Sequence, residues 1–343
     1  MHNKSWMIDR PSRGKYETDC LRWQEGSIRA LGDREVLVRT IFLSLDPTSR
    51  NWLKLESHSM YLPLAVGKVM LGVAVGVVVT SRAPEFSPGD FVTGLWGWEL
   101  YSIPDIALLQ RIDPAPGLPL ESYLSVFSHV GRAAVIGMLE VGALKPSDTV
   151  LVSGAAGATG SLAAQVAKAH GCRVIGIAGG QDKCRFLLQE LKLDAAIDYQ
   201  SEDINQALHD TCPDGVDLYF DNVGGPILDA VLANMAVGCR IVICGAMSQY
   251  DLAEPAQAYG CRNLPQLIYR QGRIQGFVVP QFAARYAEFD AILHRLFAEG
   301  KLLNRSHIID GLEQAPEALK LLLTGSNDGK LMIRVSMPEL AAY

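Results

Sequence analysis

The sequence predicts an α/β protein of two domains, one β-rich and one built on a doubly wound parallel sheet. Three observations carry this. The chain has 343 residues, beyond the size at which a single core usually stops growing. From about Arg34 to Ile112, β-branched runs are punctuated by Gly and Pro. From about Ser122, short apolar runs alternate with helix-forming stretches, a pattern that means βαβ units and a parallel sheet.

Met1 to Arg13 is polar, carries Pro11 and lacks the apolar centre of a signal peptide. Glu35–Ser44, Gly72–Ser81 and Asp90–Leu95 read as strands, the last introduced by the turn Ser87-Pro88-Gly89-Asp90. The longest apolar stretch, Val69 to Thr80, is too short to span a bilayer and is broken by Gly72 and Gly76. Pro-rich Asp113–Pro119 reads as a connector. Thr149–Ser153 is a short strand, followed by a glycine-rich turn and a helix, Leu162–His170. Strand Arg173–Ala178, helix Lys183–Leu193 and strands Ala195–Tyr199, Val216–Asp221 and Cys239–Gly245 continue the series. After about Gly300 the pattern is strand, helix, strand: Ser306–Ile309, Glu313–Leu323, Gly329–Val335. The division expected is residues 1–122, completed by 300–343, and an inserted dinucleotide-binding domain, 123–299.

A net charge of −6 gives no concentrated positive surface for nucleic acid or membrane, and a cytoplasmic location is expected. The seven cysteines (Cys20, Cys172, Cys184, Cys212, Cys239, Cys244, Cys261) are odd in number and include no CxxC pair. That argues against a disulfide framework and a closed structural zinc site, and reads as small buried hydrophobes.

The strand Thr149–Ser153 runs directly into Gly154-Ala155-Ala156-Gly157-Ala158-Thr159-Gly160-Ser161. Strand, glycine turn and helix in register form a dinucleotide phosphate site, with Ala155 at the usual first glycine of GxGxxG. Gly157 lets the backbone approach the pyrophosphate, Gly160 allows close helix–strand packing, and the helix start attracts the phosphates. An NAD site normally ends its second strand in Asp or Glu to hold the ribose 2′-hydroxyl. Here the strand ends Ile177-Ala178-Gly179-Gly180, with Lys183 and Arg185 following, cations suited to a 2′-phosphate. NADP is the expected cofactor, with Asp182 open as an alternative ribose partner.

With these residues in hand, the chain resembles the medium-chain dehydrogenase/reductase superfamily, within it the zinc-independent prostaglandin reductase, alkenal double-bond reductase and curcumin reductase branch. Leu43-Ser44-Leu45-Asp46-Pro47 with Arg50 is similar to the branch's SLDPYMR segment. Ala155–Ser161 matches its phosphate turn, and Gly179-Gly180-Gln181-Asp182-Lys183-Cys184 its NADP-phosphate segment. Asp221-Asn222-Val223-Gly224-Gly225, Cys244–Tyr250, Gly276-Phe277-Val278-Val279 and Asn327-Asp328-Gly329-Lys330-Leu331 complete the set.

The resemblance implies a GroES-like first domain, a Rossmann NADP-binding domain, a cleft between them and a homodimer. It implies that Gly157, Ala158, Thr159, Gly160 and Gly180 line the phosphates and that Lys183 and Tyr199 hold the 2′-phosphate. Asn222, Cys244, Gly245, Ala246, Ser248, Tyr250, Phe277, Val278, Val279, Asn327 and Gly329 would line the rest of the cofactor. Zinc-dependent relatives carry Cys where this chain has Asp46, and Gly-His-Glu where it reads Gly67-Lys68-Val69-Met70. With its His residues scattered as well, no metal is expected.

Without a Lewis-acidic metal, the compatible chemistry is reduction of a C=C bond activated by a carbonyl. Hydride adds at the β-carbon, and the enolate is stabilised by a tyrosine or ribose hydroxyl. Tyr250, in Ser248-Gln249-Tyr250, is the first catalytic candidate, Tyr61 the second and Tyr269 a third. Two segments depart from the branch: Thr48-Ser49 replaces an aromatic and a Met, and Gly131-Arg132-Ala133-Ala134-Val135 replaces a GLTAY-like segment. Arg132 or His129 could there meet an anionic substrate, with a solvated or structural role the favoured alternative. The alternatives are a zinc-independent quinone reductase and a non-catalytic NADP-binding redox sensor.

Overall fold

The computed structural model describes residues 1–54, 63–113, 118–252, 254 and 257–338. It comprises two compact units: Met1–Leu124 with Ser306–Asn327 and Leu331–Tyr343, and Ser125–Arg305 with Asp328–Lys330.

The first unit opens with an antiparallel pair, β1 (His2–Ile8) and β2 (Leu21–Ser27), in a register that sets Trp6 opposite Trp23. Those rings meet edge to face at 5.2 Å, and the Trp6 indole N–H donates to the Leu312 carbonyl at 2.8 Å. The main sheet is built around β3 (Val36–Ser44), whose residues are all buried. Beside it lie β4 (Leu71–Ser81), β5 (Phe91–Gly97), the short β6 (Tyr101–Ser102) and β7 (Leu109–Ile112). A short helix, α1 (Ser49–Trp52), follows β3.

The second unit holds a six-stranded sheet in the order β10-β9-β8-β11-β12-β13. Its strands are β8 (Thr149–Ser153), β9 (Arg173–Ala178), β10 (Ala195–Asp198), β11 (Val216–Asp221), β12 (Met235–Ile243) and β13 (Arg273–Gly276). Neighbours pair in parallel throughout. The helices are α2 (His129–Val135), α3 (Ala158–Ala169), α4 (Gln181–Gln189), α5 (Ile204–Thr211), α6 (Gly225–Ala233), α7 (Gln266–Tyr269) and α8 (Tyr286–Ala298). Strand residues alternate between two apolar faces, as the period of 2 requires. Val150, Val152, Val174, Leu218 and Phe220 join one core, while Leu151, Ile175, Ile177, Tyr219 and Ile241 join the other. Because β8 is followed by β9 on one side and neighbours β11 on the other, the direction of winding reverses between β8 and β11. Ligands of doubly wound sheets bind outside the carboxyl ends of such strands.

The chain then returns to the first unit with β14 (Ser306–Asp310), α9 (Ala315–Leu323) and β15 (Lys330–Arg334). The completed sheet runs β14-β15-β3-β4-β5-β7, with Met332 of β15 opposite Ser44 of β3.

Several elements differ from expectation, among them α4, which spans Gln181–Gln189 instead of Lys183–Leu193. The polar N-terminus forms β1, whose alternation of exposed and buried residues includes only a few apolar positions. Helix α3 starts at Ala158 instead of Leu162, so Ala158, Thr159 and Gly160 form its first turn. Strand β12 starts at Met235 instead of Cys239, and its register against β11 shifts near the left-handed Gly238. Among the described residues, no helix is long and apolar enough to cross a membrane.

Candidate active site

The carboxyl ends of β8 and β11 carry a dense polar construction. Gly154, at φ +58°, turns the chain out of β8, and Gly157 caps α3 with extended backbone and no side-chain hydrogen bond. The first-turn amides and the positive end of the helix dipole are therefore left for an anion. A Cβ at Gly160 would stand 2.2 Å from the Gly154 carbonyl oxygen, so the turn closes only around glycine. Gly157 also bridges in parallel to Gly329.

Asp221 ends β11 fully buried. One of its oxygens, Oδ1, accepts from the Tyr219 hydroxyl (2.7 Å), the Ser153 hydroxyl (3.0 Å), the Val223 N–H (2.9 Å) and the Gly224 N–H (2.8 Å). Ser153 in turn accepts the Asn222 N–H at 3.0 Å, and the Asn222 side-chain amide donates to the Ser153 carbonyl at 2.7 Å. Asn222 is thereby held with its amide N toward β8. Backbone bonds then zip this turn to the segment after β12. The Asp221 carbonyl accepts from Cys244 and Gly245, the Asn222 carbonyl from Met247 and the Val223 carbonyl from Ser248.

That zipper positions Tyr250. Its hydroxyl oxygen accepts the Ala246 N–H at 3.0 Å, which leaves the hydroxyl hydrogen to be donated elsewhere. Burial raises the Tyr250 pKa, and the Ala246 N–H opposes that rise in part, so the phenol stays protonated at neutral pH. Gly245 lies between groups: a Cβ there would stand 3.1 Å from the Asn222 carbonyl oxygen and 3.4 Å from the Tyr250 hydroxyl. The neighbouring Cys244 thiol, pushed up to about 12 by burial, remains neutral.

A second construction stands at the ends of β9 and β10. Asp198 accepts the N–H groups of Gly180 (2.8 Å) and Gln200 (3.1 Å) on Oδ1, and the Ser201 hydroxyl (3.0 Å) on Oδ2. Backbone N–H donation holds its carboxyl below the usual range. Gly179 has the half-exposed Tyr199 ring 2.9 Å from where its Cβ would lie. Lys183, in the first turn of α4, has its pKa lowered by burial, with Asp328 acting to raise it and Arg305 to lower it. Asp182 points to solvent, with its side chain 92% exposed, and pairs with Arg185 at 3.0 Å. An uncapped helix start, glycines that exclude any Cβ and a half-buried lysine together fit an extended anionic ligand such as a phosphorylated dinucleotide.

Comparison with known proteins agrees. Residues 4–112 match the family described as N-terminal domain of oxidoreductase, and residues 158–298 that described as zinc-binding dehydrogenase. The chain is 36% identical over 339 residues, 97% of each chain, to the NADPH-dependent curcumin reductase of Escherichia coli (strain K12). It is 38% identical over 308 residues, 89% of this chain and 88% of the other, to the NADP(+)-dependent 2-alkenal reductase of Nicotiana tabacum. The crystal structure of CurA in complex with NADPH from Vibrio vulnificus superposes with a TM-score of 0.91 at 34% identity, covering 98% of this chain and 100% of that one. The chain belongs to the medium-chain dehydrogenase/reductase superfamily. Within it, the protein is an oxidoreductase of the zinc-independent curcumin, alkenal and prostaglandin reductase branch.

The structure distributes this oxidoreductase's expected site residues unevenly. Gly157, Ala158, Thr159, Gly160, Asn222, Cys244, Gly245, Ala246, Ser248 and Tyr250 gather at the β8, β11 and β12 ends. Gly180, Lys183 and Tyr199 gather at the β9 and β10 ends. Phe277 and Val279 follow β13 and pack on the core below, while Val278 is 40% exposed. Asn327 is buried, and Gly329 adopts a left-handed conformation beside the Arg305 carbonyl. Tyr61 lies outside the described residues. Tyr269 is 73% exposed on α7. Among the described residues, no three His, Cys, Asp or Glu side chains converge as a metal would need.

Of the two roles open to Arg132, the structure shows the favoured, structural one: it forms a bidentate pair with Asp290 (2.7 Å for each bond) and stacks 4.3 Å over the Tyr286 ring. Sequence reasoning passed over Asp221, Ser153 and Asp198. Their signal was available, since carboxylates at the ends of Val216–Asp221 and Ala195–Asp198 directly precede turns whose amides need acceptors.

Proposed function

We propose that this oxidoreductase uses NADPH to reduce the C=C bond of α,β-unsaturated ketones and aldehydes. The cofactor choice is supported by the β9 end, where glycines and Lys183 stand where an NAD site has a carboxylate. It is supported further by Asp182, which points away to Arg185. On this reading the first-turn amides of α3, at Ala158, Thr159 and Gly160, hold the pyrophosphate, with Gly157 and Gly329 beside them. Lys183 and Tyr199 hold the 2′-phosphate on the platform that Gly180 completes. Asn222, Cys244, Gly245, Ala246, Ser248, Phe277, Val278, Val279 and Asn327 line the nicotinamide half.

When bound, the nicotinamide supplies a hydride for the substrate's β-carbon. Charge then collects on the carbonyl oxygen, and a proton delivered to the α-carbon completes addition of H₂ across the double bond. The observation that carries the reading is the Tyr250 hydroxyl, fixed through its oxygen by the Ala246 N–H at 3.0 Å with its proton left to donate. A neutral, prepositioned donor of this kind is worth about 3 kcal/mol to an oxyanionic transition state. Tyr61 is the second donor on the same reading. A homodimer working in the cytoplasm is the setting implied, and sedimentation velocity tests the dimer.

The discriminating experiment is steady-state NADPH oxidation with an alkyl enone, a 2-alkenal and a quinone, with product analysis. Turnover of the enone and alkenal to saturated carbonyl compounds is expected. Turnover confined to the quinone overturns the C=C reading, and NADPH binding without turnover on any of the three overturns the enzymatic one.

A further inference from the structure

Lys183 and Phe186 on α4 and Glu190 at its C-cap are spaced i, i+3, i+7, so that they lie along one stripe. Arg305, more than a hundred residues later, lies against that stripe. Its guanidinium stacks 4.1 Å over the Phe186 ring and reaches Glu190 at 3.4 Å. It also forms an ion pair with Asp328. The backbone under this pair is closely built: the Arg305 carbonyl accepts the Lys330 N–H at 2.8 Å, and a Cβ on Gly329 would stand 2.3 Å from the same oxygen. Gly329 in turn bridges Gly157 at the start of α3.

The arrangement gathers two cations, Lys183 and Arg305, and two acids on Arg305, of which Asp328 and not Glu190 also acts on Lys183. Both charged neighbours act on Lys183, Asp328 favouring its ammonium form and Arg305 opposing it. Arg305 is stacked and braced, with its side chain 29% exposed, and Asp328 is 48% exposed. A planar guanidinium held on an aromatic ring is suited to phosphate recognition. An acid beside it both competes for the guanidinium and repels a second anion.

Resting on the NADPH reading above, we propose that Arg305 is a second determinant of nucleotide selectivity. It acts with Lys183 on the ribose 2′-phosphate, and Asp328 is the internal anion that limits the strength of that preference.

The test is calorimetry with two fragments, 2′,5′-ADP and 5′-AMP, which differ only in the phosphate at issue, on the wild-type chain and on Asp328→Asn, Arg305→Lys and Arg305→Ala. Asp328→Asn should tighten 2′,5′-ADP by about two- to fivefold, the range of a partly exposed charge pair, and leave 5′-AMP unchanged. Arg305→Ala should weaken 2′,5′-ADP about tenfold with 5′-AMP unchanged, and Arg305→Lys should restore part of the loss. If Arg305→Ala fails to fold for want of its stacking on Phe186, the half-exposed Asp328→Asn decides alone. Unchanged 2′,5′-ADP affinity in Asp328→Asn, or equal effects on both fragments, overturns the proposal. A wild-type chain that prefers 2′,5′-ADP while the variants keep its affinities sinks only this inference. A wild-type chain that cannot tell the fragments apart sinks the NADPH reading and this inference with it.

Discussion

The two ends of the second unit's carboxyl edge are built on opposite physical terms. Around Asp221, the groups that converge are two hydroxyls and two backbone amides on one buried oxygen. Around Lys183, the groups are charged, partly solvated and mutually opposed: Arg305, Asp328 and Glu190. A buried network is costly to leave incomplete, so it admits a single geometry. A partly exposed charge cluster is screened and forgiving, so it tunes affinity without fixing the fold. The difference suggests a division of labour, with the buried end positioning the reacting groups and the exposed charged end choosing among nucleotides.

The most severe way to break that comparison is Asp221→Ala. It strands the donors of Tyr219, Ser153, Val223 and Gly224 in a fully buried site. A loss of about 3–5 kcal/mol in stability is expected, read as a lower denaturant midpoint. NADPH binding should weaken with it. A variant of wild-type stability that still binds NADPH normally would show that the network does not position this edge.

Tyr250→Phe removes one hydroxyl from the buried end without disturbing the zipper of backbone bonds. A fall in kcat of roughly 100-fold is expected, corresponding to about 3 kcal/mol, with NADPH Kd nearly unchanged. An equal loss in kcat and NADPH affinity would place Tyr250 in cofactor binding alone.

How much of this was legible in the sequence differs between the same two ends. The strands Thr149–Ser153, Arg173–Ala178 and Val216–Asp221 match the observed elements end for end, because a short apolar run between turn residues has few other uses in a parallel sheet. The second unit's sheet followed from them, whereas the family rested on the resemblance of motifs such as Ala155–Ser161 and Cys244–Tyr250. The phosphate turn was legible because strand, glycine and helix must be contiguous. What pairs across sequence was not. The strand His2–Ile8 needs Leu21–Ser27 to bury its apolar side, and nothing local marks that pairing. The structural role favoured for Arg132 had no visible partner, because Asp290 lies 158 residues away. The same distance problem hid Arg305, whose partners Phe186 and Asp328 come from two other segments. Asp221 was quoted only as part of a motif, since a strand-end carboxylate does not announce how many donors will fold onto it.

At the charged end, Lys183→Ala should weaken NADPH by about 10- to 100-fold, the range for a hydrogen bond to a charged group. NADH should be nearly unaffected, and a common loss for both would refute a phosphate-specific role. The pH dependence gives a smaller but sharper signal. Burial lowers the Lys183 pKa, so its positive charge is lost at a lower pH than for a free lysine. The preference for NADPH over NADH should therefore decline before the pH reaches the ordinary lysine value of about 10.4. It should also fall as the pH drops through about 6, where a phosphate monoester gains its second proton. Between those limits it should be flat. In Lys183→Ala the alkaline decline should vanish while the acidic one persists, because the phosphate still titrates and the lysine is gone. Were the alkaline decline to survive the substitution, the titrating cation would have to be sought elsewhere on this edge.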